Sequence, residues 1–145
     1  MRIEPSLRLL AAILCLIATF CAHHSVFDRI AEGDLSMIIK GRYSRSAVFL
    51  DEGGIHCKQV LKIRTMIEKH FHLMPLIAEK YYQMDREPVF TFKYVLYDTV
   101  DHCYVLRYFA RMHRDPVLAG YEIFFNYDAD TKRIIEVYTN EVPLE

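Results

Sequence analysis

Cysteine and histidine are the residues of this chain that would carry covalent or metal chemistry, and their spacing permits little of it. The four cysteines, Cys15, Cys21, Cys57 and Cys103, form no Cys-x-x-Cys pair and no paired His/Cys ligand spacing, so a structural zinc site is not expected. His70 and His72 fall on one helical segment, where residues two apart point in different directions, and His56, His102 and His113 lie on separate elements. One narrower option depends on processing. Cleavage after Cys21 would expose Ala22-His23-His24, a free amine with histidine in third place, which suits square-planar Cu(II); its plainer reading is an unstructured start. No other metal and no cofactor is expected.

The N-terminal segment sets the redox setting of these thiols. Arg2 and Arg8 flank the opening, an apolar run extends from Leu9 to Ala22, and His23-His24-Ser25 ends it, the pattern of a secretory signal. The run is shorter than the roughly 18 residues a transmembrane helix needs, and an uncleaved signal anchor is the alternative. Cleavage after Cys21 places Thr19 and Cys21 at the small-residue positions, so residues 1–21 are read as the signal peptide and 22–145 as one secreted domain. No stable membrane span then remains. Cys15 and Cys21 leave with the signal, and in an oxidising compartment Cys57 and Cys103 are the candidates for one disulfide, worth ~3 to 4 kcal/mol in the chain-entropy account; the alternative is two small buried hydrophobes.

Composition bounds the class. With 52% hydrophobic and 26% charged residues the chain has the balance of one globular domain. Its 18 basic and 19 acidic residues leave a net charge of -1, with the basic ones scattered, so nothing favours nucleic acid as a partner.

Any site must be positioned by the elements that follow. A short helix is expected from Ser25 to Gly33, and a second from Asp34, with Leu35, Ile38 and Ile39 on its buried side, to Gly41-Arg42. Ala47–Asp51 reads as a strand, Asp51-Glu-Gly-Gly as a turn, and Ile55-His-Cys as a short return strand. From Lys58 to His72 the spacing becomes helical, with Val60, Ile63, Ile67 and Phe71 on one stripe and Lys62, Thr65, Glu68 and Lys69 opposite. Four aromatic and β-branched strands then follow at about Val89–Tyr97, Cys103–His113, Ala119–Tyr127 and Arg133–Asn140. Short links rich in aspartate make consecutive strands antiparallel neighbours. The predicted class is α+β, with short N-terminal helices and one longer packing helix against a strongly curved, mainly antiparallel sheet of about six strands.

The ordered set Glu32-Gly33-Asp34-Leu35, Tyr43-Ser-Arg-Ser-Ala47-Val-Phe-Leu-Asp51 and the helix bearing Ile63, Ile67 and Phe71 resembles the cone-shaped nuclear-transport-factor-two-like superfamily, with its SnoaL-like cyclases, scytalone dehydratase and ketosteroid isomerase. Phe124–Ile135 looks like the last hairpin of that fold, and the resemblance covers about residues 25–142.

The resemblance implies a site. In the isomerase an acid at the end of the first strand is the general base, and Asp51 holds that motif position; Glu122 falls near the acid that donates a hydrogen bond to the oxyanion. The isomerase's first-helix tyrosine falls on Val26 here, and losing one such donor costs ~3 kcal/mol of transition-state stabilisation. Read from the residues alone, Asp51 is an exposed turn carboxylate and Glu122 a solvated or salt-bridged strand residue, with Arg107 and Arg111, which share one strand face, as its partners. Alternation puts Phe90, Phe92, Tyr94 and Leu96 together as core, and Phe49, Phe92, Tyr104 and Phe124 are the candidates to line a ligand pocket.

Two functions remain open at this level. The first is a secreted non-enzymatic domain that binds a small apolar ligand or a protein partner, with a homodimer formed through the outer sheet face. The alternative is a small-molecule isomerase, cyclase or dehydratase with Asp51 as base.

Overall fold

The computed structural model describes residues 5–21, 25–50, 56–82, 89–114 and 117–143. Helix α1 spans Pro5–Cys21 and α2 Val26–Ala31, followed by strands β1 (Ile38–Lys40) and β2 (Ala47–Leu50). Helix α3 (Cys57–Glu68), a 3-10 turn (Phe71–Leu73) and α4 (Met74–Tyr82) precede four long strands, β3 (Phe90–Asp98), β4 (Cys103–Arg114), β5 (Val117–Asp128) and β6 (Arg133–Pro143). The fold is α+β around one six-stranded mixed sheet, ordered β1-β6-β5-β4-β3-β2, in which β1 runs parallel to β6 and every other pairing is antiparallel.

Local chemistry explains most boundaries. Ser25 caps α2 in a reciprocal box: its Oγ accepts from the Asp28 N–H at 3.2 Å, and the Asp28 carboxylate accepts from the Ser25 N–H at 2.9 Å. Gly33, at φ 82°, turns the chain out of the helix. The helix expected from Asp34 is instead a turn leading into β1. The Asp34 carboxylate accepts from the Ser36 N–H at 3.1 Å and hydroxyl at 2.6 Å and from Arg29 at 2.7 Å, which closes a local turn rather than starting a helix. Those bonds, Ser36's foremost, hold the carboxyl down at about 2. Ile38 is then 5% exposed and Ile39 43%, the alternation of a strand rather than the stripe of a helix.

Helix α3 begins at Cys57, directly after His56, so the return strand expected there is a helix start; Ile55 and the Asp51–Gly54 turn lie outside the described residues. Val60, Ile63 and Ile67 are buried on the expected stripe, with Lys62, Thr65, Glu68 and Lys69 exposed opposite. The helix ends at Glu68, short of His72, and the chain turns through Phe71–Leu73 before α4, whose second residue, Pro75, stands where no backbone N–H is needed.

The long strands lie where alternation and turns put them, but β3 carries an irregularity that changes its faces. Its pairing with β4 shifts between Phe92 and Tyr94, so Lys93 is an extra residue in the ladder. Phe90 and Phe92 therefore pack into the helix-covered core with Val95 and Tyr97, while Leu96 joins a separate cluster with Tyr43, Val105 and Phe124. The expected common face of Phe90, Phe92, Tyr94 and Leu96 is split at the bulge.

The helix-covered side of the sheet is filled with rings. Tyr108 takes Phe71, Phe92 and Phe125 edge-on at 5.1, 5.5 and 5.8 Å, and Tyr121 stacks on Tyr82 at 4.5 Å with Phe90 edge-on at 5.3 Å. Phe27 of α2 reaches the same cluster through Phe125 at 6.0 Å. Tyr108, Tyr121 and Phe125 are fully buried.

Candidate functional site on the sheet face turned from the helices

Strands β1 and β2 are the two edges of the sheet, so residues 41–46, which join them, must cross it. Five strand spacings at ~4.8 Å make ~24 Å, which seven Cα steps of ~3.4 Å only just cover. The connection is thus a nearly straight strap over the face that the helices leave open. It starts with the Gly41 N–H donating to Thr139 O at 2.8 Å.

Arg42, Tyr43 and Arg45 of the strap each meet a group on the strands below or on the β3–β4 turn. Arg42 Nε lies 3.4 Å from Glu122 Oε1. The ring of Tyr43 is buried against Val105 and Phe124 and meets Tyr138 edge-on at 5.8 Å, and its hydroxyl donates to Asp98 Oδ2. Arg45 pairs with Asp101 and lies 3.6 Å from Glu136. Asp98 also accepts from the N–H groups of Val100 at 2.9 Å and Asp101 at 3.1 Å. Burial pushes the Asp98 carboxyl up, but these donated bonds and the Arg45 charge outweigh it, and the net displacement is downward. Burial first, then the Asp98 bond and charge, raise the Tyr43 phenol well above its usual range.

Beyond the strap, Glu122 is 0% exposed and accepts from Arg107 Nε at 2.5 Å and from Asn140 Nδ2 at 3.4 Å. The Arg107 guanidinium lies 5.1 Å over the Tyr94 ring, which in turn meets Phe49 at 5.5 Å. Lys93, placed by the bulge, sets its ammonium 5.4 Å over Phe109. Phe109 lies across Gly120, where any Cβ would overlap its ring.

Those residues singled out from sequence that are described do not gather in one place. Asp51 lies outside the described residues. Glu122 meets Arg107, as its strand position suggested, and all its bonds here are accepted ones, the opposite of the donor an oxyanion site needs. Of the four pocket candidates, Phe92 and Tyr104 face the helix-covered core, Phe124 lies under Tyr43 on the opposite face, and Phe49 is 66% exposed at the β2 edge. The strand registers assign them to opposite sides of one sheet. Tyr104 has a partner that sequence did not suggest, His56, whose Nδ1 is 2.6 Å from its hydroxyl. Cys57 is an exposed free thiol at the start of α3, and Cys103 a buried one that donates to Asp101 O at 3.3 Å. His70 stacks on Phe27 at 4.1 Å and bonds Met66 O at 2.8 Å, a structural use. Ala22-His23-His24 lies outside the described residues, and among the described ones no group of three His, Cys, Asp or Glu side chains could hold a metal.

Arg42, Tyr43, Arg45, Lys93 and Phe109 had no place in the sequence reading of a site. Their signal was slight: two arginines and a tyrosine in a stretch without helix or strand pattern, and one lysine in an aromatic strand.

Comparison with protein-family models, with curated proteins and with solved structures finds no match to this chain. No described helix is long and apolar enough to cross a membrane. Along α1, Leu7, Leu9, Leu10 and Leu14 are exposed.

Proposed function

We propose that the protein is a secreted, non-enzymatic binding module of the nuclear-transport-factor-two-like cone fold, and that it binds through the sheet face turned from its helices. The division of the sheet into two unlike faces carries this reading. On the helix side Tyr82, Phe90, Tyr108, Tyr121 and Phe125 pack ring on ring, which leaves little room for a small apolar ligand. The other face presents Phe49 beside Tyr94 and a set of charged groups. Glu122 in an ion pair with Arg107 favours a structural carboxylate over a catalytic acid. The apolar run within α1 supports residues 1–21 as the secretion signal.

Native mass spectrometry of the secreted, non-reduced protein beside its Phe49→Asp variant tests the proposal. The expected result is a non-covalent assembly, either two copies or the chain with a co-secreted protein, that Phe49→Asp dissociates. A monomer retaining a small apolar molecule would overturn it. So would proton exchange on a ketone substrate that Asp51→Asn abolishes.

A further inference from the structure

The open sheet face is polarised along its strands. Acids gather at the end with the β3–β4 and β5–β6 turns, where Arg45 meets Asp101 and Glu136 and Tyr43 meets Asp98. Toward the opposite end stand Lys93, Arg107 and Arg111, with Arg42 reaching in from the strap. Among the described residues there, the carboxylate on that face is Glu122, buried and already engaged by both Arg107 and Arg42. The chain's net charge of -1 thus conceals a stripe with a positive excess.

The stripe is also built. Arg107 is propped over Tyr94 and Lys93 over Phe109, and Phe109 rests on Gly120, so the cations stand on an aromatic floor and less freedom is lost when they bind. The same arrangement disfavours single-stranded nucleic acid, whose bases need free ring faces for stacking. Tyr94 and Phe109 each already carry a cation, which leaves Phe49 as the one exposed ring of the group. Pairing the stripe with itself about a two-fold axis would set its cations against their own copies. An extended polypeptide carrying carboxylates has neither difficulty, and Phe49, exposed against Tyr94 at the border, offers it an apolar contact.

We infer that the stripe formed by Arg42, Lys93, Arg107 and Arg111, bordered by Phe49, is a binding surface for an acidic polypeptide segment. The inference rests on the open sheet face being the working surface, and it adds the chemistry of the partner. Carboxylates lie against Lys93, Arg111 and the outward N–H groups of Arg107, and an apolar side chain of the segment lies against Phe49.

The test is fluorescence anisotropy of the full chain with a labelled Glu-rich peptide carrying one Phe, its Gln-for-Glu counterpart, a heparin oligosaccharide and an oligothymidine. The Glu peptide should bind about tenfold or more tighter than the Gln peptide and weaken steeply with salt. Lys93→Glu/Arg111→Glu should lose about tenfold or more, as should the milder Lys93→Gln/Arg111→Gln in smaller measure, while Lys62→Glu/Lys69→Glu on the exposed side of α3 should change little. Circular dichroism confirms that each variant is folded. Peptide binding that ignores the Lys93 and Arg111 changes overturns the inference, as does binding of heparin or oligothymidine in place of the peptide. A wild-type dimer that Lys93→Glu/Arg111→Glu dissociates also overturns it, since it would make a second copy the natural occupant. If no peptide binds yet Phe49→Asp still dissociates a native assembly, the acidic partner fails and the open-face reading stands.

Discussion

Arg107 and Glu122 meet at 2.5 Å as diagonal neighbours on adjacent strands, on the side of the sheet away from the helices, and Glu122 is fully buried. Taking the arginine away would leave a carboxylate without solvent or a full-strength partner, since Arg42 lies farther off at 3.4 Å. Arg107→Met should therefore cost about 3 kcal/mol of unfolding free energy, and Arg107→Met/Glu122→Leu should recover most of it. Urea unfolding midpoints of the two variants and wild type measure this. Equal loss in the single and double variants would mean that a stranded Glu122 carboxylate is not what the loss of Arg107 costs.

The strap makes a second prediction through Tyr43 and Asp98. Because the folded Asp98 carboxyl lies below its ordinary value, its stabilisation is present above the unfolded pKa and is lost as pH falls through the folded one. Stability should thus decline below the usual carboxylate range, and Asp98→Asn should flatten that decline while lowering stability at neutral pH. Tyr43→Phe removes the donated bond and should cost about 1 to 3 kcal/mol at neutral pH. Thermal unfolding followed across pH 2 to about 7 distinguishes the variants from wild type.

The difference between what could and could not be read in advance follows the range of the interactions. Strands β3 to β6 were legible because aromatic and β-branched alternation and aspartate turns are local, and the α3 stripe of Val60, Ile63 and Ile67 was legible for the same reason. Strand β1 was not, since Leu35, Ile38 and Ile39 have helical spacing and only the parallel partners Val137, Tyr138 and Thr139 make Ile38–Lys40 a strand. The Lys93 bulge left no mark in the sequence, and with it went the sorting of Phe90, Phe92, Tyr94 and Leu96 between faces. Arg107 was legible as a partner for Glu122 because both sit on neighbouring strands. Tyr43 and Asp98, 55 positions apart, come together only because β1 and β2 fall at opposite sheet edges.

The two domain thiols should differ sharply in reactivity. Burial, with the charges of Asp128, Asp101 and Asp98 around it, pushes the Cys103 thiol up to about 11, whereas Cys57 is exposed at the start of α3. With both thiols free, iodoacetamide near neutral pH should label Cys57 promptly and Cys103 only after unfolding. Peptide mass spectrometry reads the two sites. Labelling of neither until a reductant is added would instead reveal a Cys57–Cys103 disulfide in the secreted protein.

Phe109 and Gly120 supply the last test, because the aromatic floor of the open face depends on their contact. A Cβ at position 120 would run into the Phe109 ring and lie 3.1 Å from Ala110 O, so one neighbour must move. The ring is the softer of the two, being half-buried at the surface, while the carbonyl belongs to the β4 ladder. Gly120→Ala should then cost about 1 to 3 kcal/mol, the range for overpacking, and Phe109→Leu should relieve part of it in the double variant. Denaturant unfolding of the single and double variants gives the coupling. If the costs simply add, Phe109 does not rest on Gly120 in solution, and Lys93 loses the support that holds it over the ring.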